Sequence, residues 1–306
     1  MIKSVTAINS RKKSLKMNLT TPEDSGILIT SINGLEPPKA DISMVTGSII
    51  DGSFYNSAHA NSRNIVLDLR YIENGLNIEA IRHLVYEIFP VKEWVRLIIE
   101  TDEKTVSATG YVESNSVNIF SDKEGSQISI LCESAWLTSW STTDEDIFVY
   151  FVGVRDVFEF PFDNNSLTDD LIEFSEKYGE TRQNAQYEGE VPTGFVGTCK
   201  INGEVRALSI NNVTSNESLI IDDEKYKELV GTYMQSGDVI TMNTITGQKS
   251  IKVVRDAVEY NLLPALDTDT KFPQLYSGVN DIWIRSEIGN NEIDFTLQYK
   301  NLYQGV

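Results

Sequence analysis

YEGEVPTG (residues 187–194), NTITGQKS (243–250) and FPQLYSGVN (272–280) follow one another between runs of alternating apolar and polar residues. Gly and Asn supply positive φ at turns, while Pro, which cannot donate to a ladder, is kept out of central strands. Each motif therefore reads as a turn or corner of an antiparallel β-sandwich. No catalytic grouping accompanies them, so the segment reads as a scaffold for binding or assembly.

Working outward, strands are predicted over 208–210, 238–244, 250–254, 281–285 and 293–299. Residues 223–234 carry Tyr226, Leu229, Val230 and Tyr233 on one face and are helical by propensity. Before the first motif, 147–154 and 157–162 read as strands. A helix is predicted from Thr168 as N-cap, with Asp169 and Asp170 in its first turn, to Gly179.

The first part of the chain alternates short β-like runs with Gly, Pro and Asn: 26–32, then Asn33-Gly34, Pro37-Pro38, and 49–54 across Asp51-Gly52. Residues 64–69 are the next strand. A helix follows, because Asn77 can cap it, Ile78, Ile81, Leu84, Val85, Ile88 and Phe89 share a face, and Pro90 stops it. Strands over 95–101, 106–114 and 127–133 complete an α+β unit ending near Leu137. The Ser-, Thr- and Asp-rich stretch 136–146 suits an interdomain crossing, and no internal repeat is present.

The chain has 306 residues, enough for about two domains. It carries 26 Lys plus Arg against 45 Asp plus Glu, a net charge of -19. That field repels nucleic-acid phosphate and anionic lipid. The one basic run, Arg11, Lys12, Lys13 and Lys16, lacks interleaved aromatics and reads as a solvated arm or loop. No apolar stretch has the length of a membrane span, and no apolar h-region follows the N-terminal basic residues, so export by a cleaved signal is not expected. Cys132 and Cys199 form no CxxC and read as buried free thiols made in a reducing cytoplasm.

Candidate chemistry is sparse. His59 and His83, the only histidines, have no nucleophile motif beside them and read as structural. The acidic clusters Asp144-Glu145-Asp146 and Asp267-Thr268-Asp269 lack the Gly and distal Glu of an EF-hand, so solvated loops outweigh a weak cation site. Residues 194–203 hold neither a GxGxxG nor a Walker ending. Trp283, Tyr276 and Tyr303 read as core or subunit-packing residues of the C-terminal module, with sugar stacking as the alternative. No catalytic, cofactor-binding or metal-ligating residue is assigned, and the chain is not expected to be an enzyme. A carboxylate-pair hydrolase would need two acids about 5 to 10 Å apart across a cleft, and proximity in sequence does not show such a pair.

Residues along nearly the whole chain carry a family resemblance. ITSINGLEPP (29–38), DGSF (51–54), RNIVL (63–67), the capped helix, GYVE (110–113) and QISILC (127–132) come first. FEFPF (158–162), YEGEVPTG, GDVI (237–240), GQKS (247–250), Asn261-Leu262 and LYSGVN (275–280) follow in the same order. The chain thereby resembles the distal tail proteins of siphophages, with long non-contractile tails. The resemblance implies a mainly β protein. Residues 1–140 would be a β-sandwich or split-barrel ring domain with one helix and an extended belt, and 145–306 a galectin-like β-sandwich. It further implies a homo-hexamer at the virion tail tip, assembled in the host cytoplasm. That ring would join the tail tube protein to the tail-associated fibre or lysin protein and dock baseplate or receptor-binding parts. DNA would meet it only in transit through the lumen, which an acidic wall would suit, and no membrane partner or cofactor is implied. The belt, with Pro37, Pro38, Gly47 and Gly52, would wrap a neighbouring copy. Residues 1–25 precede the part that matches. The rival from the residues alone is a carbohydrate-binding module contacting host cell-wall glycans.

Overall fold

The computed structural model describes residues 1–47, 51–119, 123–141, 146–156, 175–179 and 181–306. The chain divides into two compact units, Met1–Glu145 with Leu302–Val306, and Asp146–Asn301.

The first unit contains β1 (Ile2–Asn9), β2 (Ser14–Asn18), β3 (Ile27–Asn33), β4 (Ala40–Thr46), β5 (Ser53–Ala60), β6 (Arg63–Tyr71), helix α1 (Ile78–Ile88), β7 (Trp94–Thr101), β8 (Thr105–Val117), β9 (Gly125–Cys132) and β10 (Leu137–Ser139). Its main sheet is antiparallel in the order β2-β1-β7-β8-β9-β6-β3, and β10 pairs with β8 and with the C-terminal strand Leu302–Tyr303. The two ends of that order, β2 and β3, approach each other, so the sheet curls toward a barrel. Strict alternation on β6 turns Ile65, Leu67, Leu69 and Tyr71 inward. Against them α1 buries Ile81, Val85 and Ile88, followed by Phe89. The helix begins as predicted: the Asn77 Oδ1 accepts from the Ala80 amide at 2.8 Å.

Of the two readings of the basic run, arm or loop, the structure shows a loop: residues 2–18 form a hairpin whose first strand lies inside the sheet, between β2 and β7. Arg11 and Lys13 sit in its turn and pair with Glu93 and Glu87, and Lys16 on β2 pairs with Glu100. The basic residues thus offset acids of their own unit. In the expected crossing at 136–146, Leu137–Ser139 is strand β10.

The second unit contains β11 (Ile147–Asp156), β12 (Ser175–Gly179), β13 (Arg182–Tyr187), β14 (Val196–Ile201), β15 (Ser209–Asn212), β16 (Glu217–Ile220), α2 (Asp223–Val230), β17 (Val239–Asn243), β18 (Ser250–Arg255), β19 (Val258–Asn261), β20 (Gly278–Arg285) and β21 (Ile293–Tyr299). A seven-stranded sheet, β12-β11-β21-β14-β17-β18-β19, faces a four-stranded one, β13-β20-β15-β16. Phe151, Met242, Phe295 and Leu297 from the first share one core with Tyr187, Ile210, Ile282 and Ile284 from the second. The Phe151 and Phe295 rings meet edge to face at 5.1 Å.

The helix predicted from Thr168 to Gly179 is corrected at its end, where residues 175–179 are strand β12, paired with β11. The rest of that prediction, the strand at 157–162 and the FEFPF motif lie outside the described residues. The helix expected over 223–234 is shorter, because Gly231 takes positive φ at 95° and terminates α2 after Val230. On the first unit, the strand expected at 49–54 begins at Ser53, with Asp51 and Gly52 in a bend.

One buried ion pair ties α2 to the strands beneath it. Asp238, 1% exposed, accepts from the Arg255 guanidinium through Nε at 2.6 Å and through Nη2, from the Tyr226 hydroxyl at 2.9 Å and from the Gln235 amide at 3.0 Å. Arg255 also donates to the Tyr233 carbonyl at 2.8 Å. The hydrogen bonds to Asp238 hold the arginine above its ordinary pKa, and burial pushes the Tyr226 phenol up. Removing one partner strands the other charge in the core. Asp238→Ala is expected to lower stability by about 3 to 5 kcal/mol, read as a loss in urea midpoint of the second unit's unfolding transition. An effect near zero would show that water already screens the pair.

Candidate functional site

Strands β4 and β5 form a sheet of two, joined to no other strand among the described residues. Every residue of β4 is exposed, and every residue of β5 except half-buried Ala60. A lone two-stranded hairpin is marginal in water. This one also shows Ile42, Met44, Val45, Phe54 and Tyr55 to solvent, each more than half exposed. Register puts Met44 opposite Tyr55 and Val45 opposite Phe54, with an irregularity beside Ser43. Neighbouring positions on a strand point to opposite faces, so the two apolar pairs lie on opposite faces of the arm. Among the described residues neither face has a cover. Apolar side chains left uncovered on both faces make the hairpin a candidate contact surface.

The root of the arm is built around Arg63, which is 4% exposed. Its guanidinium donates to four backbone carbonyls: Ala135 at 2.9 Å, Gly34 at 2.5 Å, Glu36 at 2.9 Å and Gln304 at 2.6 Å. Burial pulls its pKa below the ordinary value, and the carbonyl dipoles solvate the charge in place of water. Backbone amides, its own first and then that of Gly34 at 2.9 Å, hold the Glu36 carboxyl below its ordinary range. The C-terminal residues seal the root: the Val306 amide donates to the Leu35 carbonyl at 3.2 Å, and Lys104 donates to the Gly305 carbonyl at 3.1 Å. A Cβ on Gly34, whose φ is +86°, would stand 2.0 Å from the Asn64 carbonyl oxygen, so only glycine fits where the chain turns into the arm.

The residues singled out in the sequence disperse. His59 is exposed on β5, opposite Asp41. His83 is exposed on α1, with Glu79 at 3.8 Å and the Tyr86 ring edge-on at 5.9 Å. Asp267 accepts from the Asp269 amide at 2.9 Å and closes a turn, while Asp144 and Glu145 lie outside the described residues. The Trp283 ring carries two guanidiniums, Arg182 at 4.7 Å and Arg285 at 4.0 Å, and donates its Nε1 to Asp281 at 2.9 Å. Tyr276 is 39% exposed with its hydroxyl toward Glu217. Tyr303, placed by the sequence in the C-terminal module, belongs to the first unit, where Lys104 lies 4.3 Å over its ring.

Burial pushes the Cys132 thiol up to about 11 and the Cys199 thiol further, which removes both as nucleophiles near neutral pH. Asp223 is a carboxyl that burial raises, and both its oxygens accept from the Ala207 amide, at 3.0 and 2.9 Å. It locks a turn in which Ala207 takes positive φ. Among the described residues no group of three His, Cys, Asp or Glu side chains could hold a metal, and no helix is long and apolar enough to cross a membrane.

The three opening motifs, in contrast, meet. Thr193 and Leu275 exchange two backbone hydrogen bonds at 3.1 and 2.7 Å, and the Gln274 side chain donates to the Thr244 carbonyl at 2.7 Å. Thr244 Oγ1 accepts from the Phe195 amide at 2.8 Å. A Cβ on Gly194 would lie 2.3 Å from the Ile245 nitrogen. That glycine is required by close approach, whereas Gly247 and Gly278 take the positive φ, at 85° and 101°, that the sequence pattern predicts.

No family model and no curated protein matches the chain. Among solved structures it is similar to the Dit protein of phage SPP1, a paradigm of the hub adsorption apparatus in phages infecting Gram-positive hosts. The TM-score is 0.58 and the identity 9%, over 98% of this chain and 99% of that one. It also aligns with the baseplate of phage P2 in its activated conformation with Ca, at TM-score 0.41 and 12% identity over 97% and 98% of the two chains. The first likeness shows that this mainly β chain has the fold of that phage hub protein.

Truncating Arg63 would leave the buried Ala135 carbonyl and three partly buried carbonyls without this donor. Arg63→Ala is expected to cost about 3 to 5 kcal/mol and to speed amide hydrogen exchange around residues 34–36 and 135. Arg63→Lys rescues little, since an ammonium cannot span four acceptors with a planar fork. Full rescue by lysine would show that the charge matters and the geometry does not.

Proposed function

We propose that the chain is a structural protein of a phage tail tip, a ring-forming hub that joins the tail tube to the tail-associated fibre or lysin protein. The observation that carries this is the uncovered arm on a chain with the fold of a phage hub. An arm that buries nothing within its own chain adds only entropic cost to a monomer, and the cost is offset when a neighbour covers it. A closed ring is made of head-to-tail contacts, in which each copy offers two different patches. The arm is one of them, wrapping the next copy as a belt.

In this proposal six copies close the ring, residues 1–140 line it, and the sandwich of 145–306 is a galectin-like module facing outward, where baseplate or receptor-binding parts dock. The protein works in the virion after assembly in the host cytoplasm, and has no catalytic part. A net charge of -19 suits a lumen through which DNA passes without sticking. The glycan-binding alternative receives no support from Trp283, whose ring is already engaged by Arg182 and Arg285.

Ala40 and Ala60 are register partners, so residues 40–60 can be replaced by a short Asn-Gly turn without disturbing the Arg63 root. The wild-type chain is expected to run by light scattering at about six times its 34.4 kDa mass, and the shortened chain as a folded monomer. A ring that survives the replacement would remove the arm from assembly.

A further inference from the structure

We propose that Asn74 is a site of spontaneous covalent modification, where the Gly75 amide nitrogen closes on the Asn74 side chain and converts it through a succinimide to aspartate and isoaspartate. The inference is independent of the hub reading. The sequence holds three Asn-Gly pairs, 33–34, 74–75 and 202–203, and glycine leaves the attacking nitrogen least shielded because it has no Cβ. In sequence the three are equivalent. Their surroundings separate them. At the first pair the nucleophile is occupied: the Gly34 amide donates to the Glu36 carboxylate at 2.9 Å, and Asn33 is held at the end of β3 opposite Val66. At the second-unit pair the leaving group is held, since Asn202 Nδ2 donates to the Asp294 carboxylate at 3.2 Å. The Glu292 side chain also stands 2.8 Å from where a Gly203 Cβ would be, and so shields the backbone there. Neither obstacle exists at Asn74. Gly75 is exposed at a φ of 93°, a Cβ on it would meet nothing within 4 Å, and among the described residues its amide has no acceptor. The Asn74 Oδ1 accepts from the Leu76 amide at 3.3 Å, which folds the carboxamide back along the chain toward the Gly75 nitrogen.

The reaction is a ring closure followed by hydrolysis. The Gly75 nitrogen gives its proton to hydroxide and bonds to Asn74 Cγ, the Cγ–Nδ2 bond breaks, and Nδ2 takes a proton from water and leaves as ammonia. Water then opens the imide at either carbonyl. Breaking the new bond from Cγ to nitrogen gives aspartate in the original backbone, and breaking the bond from the Asn74 backbone carbonyl to nitrogen gives isoaspartate. One water is gained for one ammonia lost, and nothing is oxidised or reduced. As negative charge builds on Oδ1 during the attack, the Leu76 N–H that already points at it stabilises that charge. The products are compatible with the fold. Each adds a negative charge shortly before Asn77, the cap of α1, where the helix dipole favours a carboxylate. The extra backbone methylene of isoaspartate falls in an exposed bend, bounded by the Ile72 amide bond to the Gly26 carbonyl at 2.8 Å on one side and by the Asn77 cap on the other. Converted chains therefore stay folded and accumulate with age.

The test incubates the full wild-type chain in heavy-oxygen water at mildly alkaline pH, then digests it with trypsin in ordinary water, so that only conversion during the incubation carries the label. Cleavage after Lys and Arg puts each pair on its own peptide, 17–39, 71–82 and 201–206, and fragmentation in the mass spectrometer separates Asn74 from Asn77. In the native chain Asn74 is expected to convert at least about tenfold faster than Asn33 and Asn202, because only there is the attack geometry open. In concentrated urea the three rates are expected to draw together, since the fold no longer ranks them. Isoaspartate is expected alongside aspartate, as the mark of the imide. Native conversion at Asn74 no faster than at Asn33 or Asn202 overturns the site. Labelled aspartate without isoaspartate shows direct hydrolysis and overturns the ring closure. A ranking that persists unchanged in urea overturns the structural cause, because the difference would then belong to the local sequence.

Discussion

The Arg63 guanidinium is the interaction on which the arrangement of the first unit depends. A charge that is 4% exposed has to be solvated by the protein, and here four carbonyls from separate parts of the chain do it. Gly34 and Glu36 lead into the arm, Arg63 itself follows the arm by a few residues, Ala135 ends the segment after β9, and Gln304 lies at the C-terminus. Satisfying one side chain therefore fixes where the arm leaves the body, and draws Leu302–Val306 back to the first unit after the whole second unit has been traversed. The planar fork of arginine suits this task because its donors diverge in fixed directions.

A fixed root lets a marginal hairpin serve as an arm. β4 and β5 gain only their own ladder, and their apolar pairs stay in water until covered. In the proposed ring, a fixed root would reduce the orientational freedom lost on docking and leave more of the apolar contact energy for association. The absence of charge from most of the arm has the same direction, since no desolvation of ions opposes burial.

Much of this was legible in the sequence where the signal is local. The Asn77 cap and Pro90 stop enclose a helix with the predicted face, and the three Gly-, Pro- and Asn-containing motifs form corners that meet one another. The resemblance implied an extended belt in the first domain, whereas nothing in a strand pattern says that both faces of the β4–β5 hairpin stay bare. What failed was long-range. Residues 2–18 lie outside the part that carries the resemblance, and the acids that pair with their basic turn, Glu87 on α1 and Glu93 just before β7, are distant in sequence. Arg63 read as the first letter of a strand, since four carbonyls distant in sequence leave no pattern.

The same division between local and long-range signals explains how 9% identity coexists with a shared fold. A strand asks of each inward position only that it be apolar and of suitable volume, a condition many residues meet, so sequences drift while the alternation persists. Positions with one solution are few, and they lie where backbone approaches backbone or where a charge is buried. Gly34 and Gly194 are of the first kind, and Arg63 and Asp238 of the second. Exposed surfaces are freest of all, because outward positions on a strand are not constrained by the core. Outward positions can then change while the sheets beneath them keep their order, so a fold of this kind does not by itself fix what its surface does.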